Sequence, residues 1–248
     1  MHELALFAGT GGGILGGKIL GWKTACAVER DAYAASILAQ RQNDGFLRPF
    51  PIWSDVQTFD GRPWRGRVDI ISGGFPCQDI SQAGKGAGID GAKSGLWSHM
   101  ARITDEVRPP LVWVENSPLL VSRGGSRVLG DLAEMGYDAV WGIVGAGHTA
   151  APHIRKRIWI LAYSHVDTDS NSLQQHRRNR PVQMGWLGSQ EEAENNVHPG
   201  GIKWPPESGL GRVAHGVAYR VDRIRATGNG QVPRVVALAW HRLTSMTN

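Results

Sequence analysis

Two cysteines occur in the 248 residues, and Cys77 stands where a nucleophile would be placed. It follows the apolar run 68–72, the pair Gly73-Gly74, and Phe75-Pro76. Proline fixes the backbone immediately before the thiol. A cysteine at such a strand-to-loop junction suits covalent catalysis, provided its thiolate is accessible. The alternative is a small buried thiol in a turn. Three carboxylates recur in a matching position, because Glu29, Asp55 and Glu115 each end an apolar run. A basic cluster, His153-Ile154-Arg155-Lys156-Arg157, precedes another. A thiol, three carboxylates and a glycine loop on one edge of a sheet describe an active site.

The elements that must position these groups follow from the hydrophobic pattern. Residues 4–7 form a short apolar strand leading into Ala8-Gly9-Thr10-Gly11-Gly12-Gly13, and a helix is expected over 14–20. Strand, glycine loop and helix open a nucleotide-binding α/β unit. The dinucleotide fingerprint would need a glycine at position 14, which is Ile14. The loop is instead Phe-x-Gly-x-Gly-Gly, with Phe7 available to lie against a base. A second strand, 24–28, ends at Glu29, placed to bond ribose hydroxyls. A helix over 31–42 and a third strand end at Ser54-Asp55-Val56 follow, and the fourth strand delivers Cys77. The glycine-rich stretch 82–95, with Lys85 and Lys93, is a loop able to cover a site, or else a solvated surface loop.

Further on, a helix over 96–107 is halted by Pro109-Pro110, and a fifth strand, 111–114, ends at Glu115-Asn116. A helix over 121–135 has Gly136 as its C-cap. Strands 137–144 and 157–162 and a final helix, 234–243, complete the pattern. In a parallel sheet with crossover helices, the strand ends share one edge, outside which ligands bind.

Composition narrows the class. The chain is long enough for one large domain with a smaller appendage. A net charge of +5 and a pI near 9.5 permit a nucleic-acid partner without requiring one. Two cysteines exclude a disulfide framework and suit a reducing cytoplasm. Neither a signal peptide nor an apolar run of membrane length is visible, and no obligatory protein partner is apparent. From 164 to 220 the chain is polar and loop-rich, with Arg177, Arg178, Arg180, Trp186 and Trp204. That region is either a small domain able to touch DNA or an inserted decoration.

In order along the chain, these motifs resemble those of the DNA (cytosine-5) methyltransferases, particularly the short phage and bacterial forms. Phe7–Gly12 is similar to the family's cofactor loop, and Pro76-Cys77-Gln78 to its catalytic loop. Glu115-Asn116 is similar to its Glu-Asn-Val motif, Arg155-Lys156-Arg157 to Gln-x-Arg-x-Arg, and Gly228-Asn229 to the C-terminal Gly-Asn. Ser117 replaces the usual valine, His153 the usual glutamine, and Ser54-Asp55-Val56 the usual Gly-Asp-Ile.

The resemblance implies an α/β, doubly wound, Rossmann-like S-adenosylmethionine-dependent methyltransferase sheet. Its domain would comprise 1–163 and 221–248, with 164–220 a small target-recognition region and the last helix packed beside the first strand. The implied reaction methylates C5 of a flipped-out cytosine in double-stranded DNA through a Cys77–C6 adduct. Glu115 would donate to N3, Arg157 would bond O2, and Arg155 would support the site. S-adenosylmethionine would lie against Phe7, Ala8, Gly9, Gly11 and Gly12. Glu29 would meet its ribose, Asp55 and Val56 its adenine, Asn229 its methionine end, and Pro76 and Leu96 would complete the walls. DNA contacts are expected from Ser81, Gln82, Lys85, Arg177, Arg178 and Arg180, and no metal is expected. Two alternatives remain open: a tRNA cytosine-5 methyltransferase, and an inactive DNA-binding protein of the same fold. A redox-thiol oxidoreductase is disfavoured by Ile14 and the lone Cys77.

Overall fold

Strand β1 (His2–Leu6) buries both faces, Glu3 and Ala5 on one and Leu4 and Leu6 on the other, which makes it a central strand. The structure, a computed structural model, describes residues 1–76, 95–151, 153–164 and 220–247. Around β1 lie β2 (Lys23–Val28), β3 (Ile52–Trp53), β4 (Ile70–Gly73), β5 (Leu111–Asn116), β6 (Tyr137–Gly145) and β7 (Lys156–Ser164). They form one seven-stranded sheet in the order β3-β2-β1-β4-β5-β7-β6. The first five run parallel, but β7 is antiparallel to β5, and β6 to β7. An all-parallel sheet is therefore corrected at this edge. Only residues 146–155 link β6 to β7, including a 3-10 turn at Ala146–Thr149. A parallel crossover needs about a dozen residues or more.

Helices cover both faces, as in a doubly wound sheet. On one face, α3 (Gly95–Val107) sets Trp97, Met100, Ile103 and Val107 against Leu4, Ile71 and Val112, and α5 (Gly125–Glu134) adds Val128 and Leu132. On the other lie α1 (Gly12–Ile19), α2 (Ala32–Asn43) and α7 (Pro233–Thr244). The Asp31 carboxylate caps α2 by accepting from the Ala34 N–H at 2.9 Å. Rather than lying beside β1, α7 packs on α1 and on the β6–β7 hairpin. Its Trp240 meets Trp22 edge-on at 4.9 Å and Trp113 at 5.4 Å, and Trp113 stacks on Trp159 at 5.2 Å.

Two expectations about helices change. The stretch 121–135 is not one helix, because Gly124, at φ 151°, separates α4 (Leu120–Arg123) from α5. Gly136, at φ 83°, then turns the chain out of α5 as expected. A helix not expected from the sequence, α6 (Arg220–Asn229), ends at Asn229, and Pro233 begins α7 one residue before the expected start. Among the described residues, no helix is long and apolar enough to cross a membrane.

Beneath the sheet edge, β1 carries a carboxyl that is only 1% exposed, that of Glu3. It accepts hydrogen bonds from Ser72 Oγ at 2.6 Å and Thr24 Oγ1 at 2.8 Å. Burial raises its pKa despite both donors. The folded state therefore holds this proton more tightly than the unfolded chain. The stabilisation is complete below the ordinary carboxyl range and is lost as pH rises through the raised folded value. Urea unfolding across pH should show Glu3→Gln gaining stability relative to the wild type as pH rises through that window.

Candidate active site

The parallel strands end at a cleft on their C-terminal edge. Phe7, Ala8, Gly9, Gly12, Gly74, Glu115 and Asn229 line it, as does the buried Glu3. Four of the expected cofactor-loop residues, together with Asn229, thus meet the expected acid in one space. Phe7 leaves β1 at φ 52°, in the left-handed region. For a non-glycine residue this costs about 1–3 kcal/mol and marks a site whose backbone is constrained. The loop is held from three directions. Ala8 N–H donates to Val28 O at 3.1 Å, Gly9 N–H to Glu29 Oε2 at 2.7 Å, and Arg41 Nη1 to Thr10 O at 2.7 Å. Gly11 serves the fold rather than the cleft wall. At φ 88° it precedes α1, and a Cβ there would lie 2.7 Å from Leu38 Cδ2.

Glu29, Asp55, Val56, Pro76 and Leu96 are not among the residues lining this cleft. Glu29 stands at its rim, with Oε1 also accepting from Asp31 N–H at 2.7 Å. Asp55 lies in the turn after β3 and accepts from Gln57 N–H at 2.9 Å, and Val56 beside it is buried. Leu96 packs on the core from the first turn of α3, and half-buried Pro76 follows β4.

Glu115 is the centre of the site. It is 7% exposed, yet it carries an ion pair to Arg157, Nε to Oε1 at 2.8 Å. The sheet explains how residues so far apart in sequence meet. Antiparallel pairing sets Glu115 opposite Trp159 and Asn116 opposite Ile158, so the start of β7 lies at the end of β5. Burial raises the Glu115 pKa, opposed by the charges of Arg157 and Arg155 and by a hydrogen bond from Gln231. Burial also draws the Arg155 guanidinium below its ordinary value, and its buried Nε has no hydrogen-bond partner among the described residues. A carboxyl kept out of water can hold a proton and donate it to a ligand. An unsatisfied guanidinium N–H nearby offers a donor to an oxygen. His153 is exposed.

Asn116 acts on the strand that leads to the thiol. Its Nδ2 donates to Phe75 O at 3.1 Å, and its Oδ1 accepts from Ser117 N–H at 2.8 Å. The Phe75 ring meets Trp97 at 5.4 Å, and Trp97 Nε1 is bonded to Asp131 at 2.7 Å. Cys77 itself, with Ser81, Gln82 and Lys85, lies outside the described residues, as do Arg177, Arg178 and Arg180. The other cysteine, Cys26, is buried, and burial pushes its thiol up to about 11. Sequence reasoning missed two contributors, Gln231 and Gly74. Gln231 lies two residues beyond Asn229, in the Gly228-Asn229-Gly230-Gln231 stretch whose motif points to Asn229 alone.

Over residues 1–198 the chain matches the family of C-5 cytosine-specific DNA methylases. It belongs to that family. The type II methyltransferase M.PspPI of Psychrobacter is 36% identical over 137 residues, which are 53% of this chain and 32% of that protein. M2.BsuMI of Bacillus subtilis is 34% identical over 173 residues, 65% of this chain and 42% of that one. The chain thus spans less than half the length of these relatives. Among solved structures, a candidate DNA modification methyltransferase encoded within an E. coli prophage aligns with TM-score 0.54 at 25% identity. That alignment covers 66% of this chain and 47% of the other. The fold is the Rossmann-like fold of S-adenosylmethionine-dependent methyltransferases.

Replacing Asn116 by leucine strands the Phe75 carbonyl and the Ser117 N–H. A loss of about 1–3 kcal/mol is expected in urea unfolding for leaving such groups unpaired.

Proposed function

We propose that the protein methylates C5 of cytosine in double-stranded DNA. The observation that carries this reading is the Glu115 carboxyl, buried beside Arg157 at the mouth of the glycine-loop cleft. Family membership supports the chemistry to which such a carboxyl would be put.

Cytosine C5 is a poor nucleophile until C6 is attacked. In the proposed mechanism the Cys77 thiolate adds to C6, and the ring electrons flow toward N3 and C5. Glu115 gives its proton to N3, so no negative charge accumulates on the ring. Arg157 holds Glu115 through Nε, and its remaining N–H groups bond the base O2, with Arg155 beside it as a further donor. After C5 is alkylated, water or a nearby base removes the C5 proton, the C6–S bond breaks, Cys77 leaves as thiolate, and N3 returns its proton to Glu115. The target atoms are unreachable within a stacked duplex, so the base must be flipped out; methyltransferases are among the standard examples of base flipping.

S-adenosylmethionine, when bound, supplies the electrophilic methyl group. The residues present fit it. The glycine turn leaves backbone facing the cleft, and Phe7 ends β1 at its wall. The Glu29 carboxylate is oriented by two N–H donors and retains lone pairs for ribose hydroxyls. Asp55 and Val56 would meet the adenine, Asn229 the methionine end, and Pro76 and Leu96 the outer wall. Residues 1–163 and 221–248 would form the catalytic domain, with 164–220 reading the target. In the segments outside the described residues, Ser81, Gln82, Lys85, Arg177, Arg178 and Arg180 would contact DNA. A cytoplasmic location accords with this role.

The test is transfer of labelled methyl from S-adenosylmethionine to unmethylated duplex DNA, with tRNA as a parallel substrate. Wild type should produce 5-methylcytosine in DNA, Cys77→Ala none, and Glu115→Gln about a hundredfold less or lower still. Transfer to tRNA alone, or cofactor or DNA binding without transfer to either, would overturn the proposal.

A further inference from the structure

We propose that Gln231 is a positioning residue for this reaction, its side-chain amide packed against the start of α1 and bonded to the carboxyl of Glu115. The proposal rests on the function inferred above and deepens it. Gln231 Nε2 donates to Glu115 Oε2 at 3.2 Å, while Arg157 Nε pairs with Oε1 at 2.8 Å. One donor on one oxygen leaves a carboxyl free to swing about that contact. Two donors, on separate oxygens and from separate elements, fix its plane.

The surroundings are built to admit this side chain. A Cβ on Gly12 would lie 2.2 Å from Gln231 O, and one on Gly13 2.7 Å from Gln231 Oε1. A Cβ on Gly74 would lie 2.7 Å from Glu115 Oε2 and 3.0 Å from Gln231 Nε2. Gly13 and Gly74, on two segments, therefore make room for the glutamine–glutamate contact, and Gly12 makes room for the Gln231 backbone. The turn carrying Gln231 is itself anchored, with Gly230 N–H donating to Ala226 O at 2.9 Å and Val235 N–H to Val232 O at 2.9 Å. Its backbone packs on the cofactor loop while its amide holds the acid, so the position of one is transmitted to the other.

The residue type suits a group that must gain and lose a proton. An amide offers both a donor and an acceptor. Its Nε2 serves the carboxylate, and after a half-turn its Oε1 would serve the protonated acid. No single-function side chain of that length does both. Among the described residues, the charged groups acting on Glu115 are Arg157 at the start of β7 and Arg155 just before it. The β4 exit and α1 present glycines there, so the amide is the neutral member of the set.

The experiment compares wild type with Gln231→Met, which keeps length but loses the hydrogen bond, and Gln231→Glu, which keeps size but adds a carboxyl. Once wild type is shown to methylate DNA, Gln231→Met should lower kcat about tenfold and leave KM for S-adenosylmethionine within about twofold. The Gln231 N–H favours ionised Glu115, so its loss should move the alkaline limb of the pH–rate profile upward. Gln231→Glu should move it further, because neighbouring carboxyls resist ionising together. Infrared difference titration of the Glu115 carboxyl band, assigned by its absence in Glu115→Gln, should show the same order without turnover. Unchanged kcat and an unmoved carboxyl titration in Gln231→Met would overturn the proposal. Ordered infrared shifts across the variants, with a wild type that methylates nothing, would instead remove the functional reading and leave the contact.

Discussion

The antiparallel pairing of β7 with β5 is the constraint on which the site depends. Strand ends that face a ligand normally come from parallel neighbours, and each contributes its C-terminal residues. Here a short link after β6 forces β7 to run the other way, and its first residues arrive beside the last residues of β5. Arg157 is thereby delivered to Glu115 by backbone register rather than by a long loop. Had β7 been parallel, the basic cluster would have lain at the opposite end of the sheet, a strand length away.

Once the two groups meet, their environment sets them in opposition. Burial drives Glu115 toward the neutral acid, while two guanidinium groups and an amide favour its ionised form. Neither tendency alone would suit a proton donor. A fully desolvated carboxyl would never ionise, and one paired in open water would hold its proton too weakly at neutral pH. Glu3, one strand away from the central pair β4 and β5, shows the first condition nearly alone, with only hydroxyl donors. The difference between the two glutamates is the presence of cations beside Glu115.

Much of this was legible in the sequence. Apolar runs ending in Phe7, Glu29 and Glu115 placed those residues on one edge, because period and strand termination are local properties. The helix break at Gly124 and the extra helix α6 were not legible from the apolar period alone. The reversal of β7 was hidden for a related reason: an apolar run carries no sign of its direction. Gly12, Gly13 and Gly74 could be read as glycines but not as a set. Their common cause, Gln231, lies more than 150 residues along the chain from any of them. Gln231 itself looks like any polar turn residue until its partner is known.

The tryptophan contacts between α7 and the sheet carry an optical consequence. Trp22, Trp240, Trp113 and Trp159 touch in succession, at 4.9, 5.4 and 5.2 Å, and Trp113 also forms part of the cleft floor. Indoles at such spacings, held at fixed and differing tilts, couple their transition dipoles and share excitation energy. The near-ultraviolet circular dichroism of the chain therefore contains coupled bands that depend on how the last helix sits on the sheet. Because Trp113 borders the cleft, those coupled bands connect the seating of the last helix to the space beside Glu115.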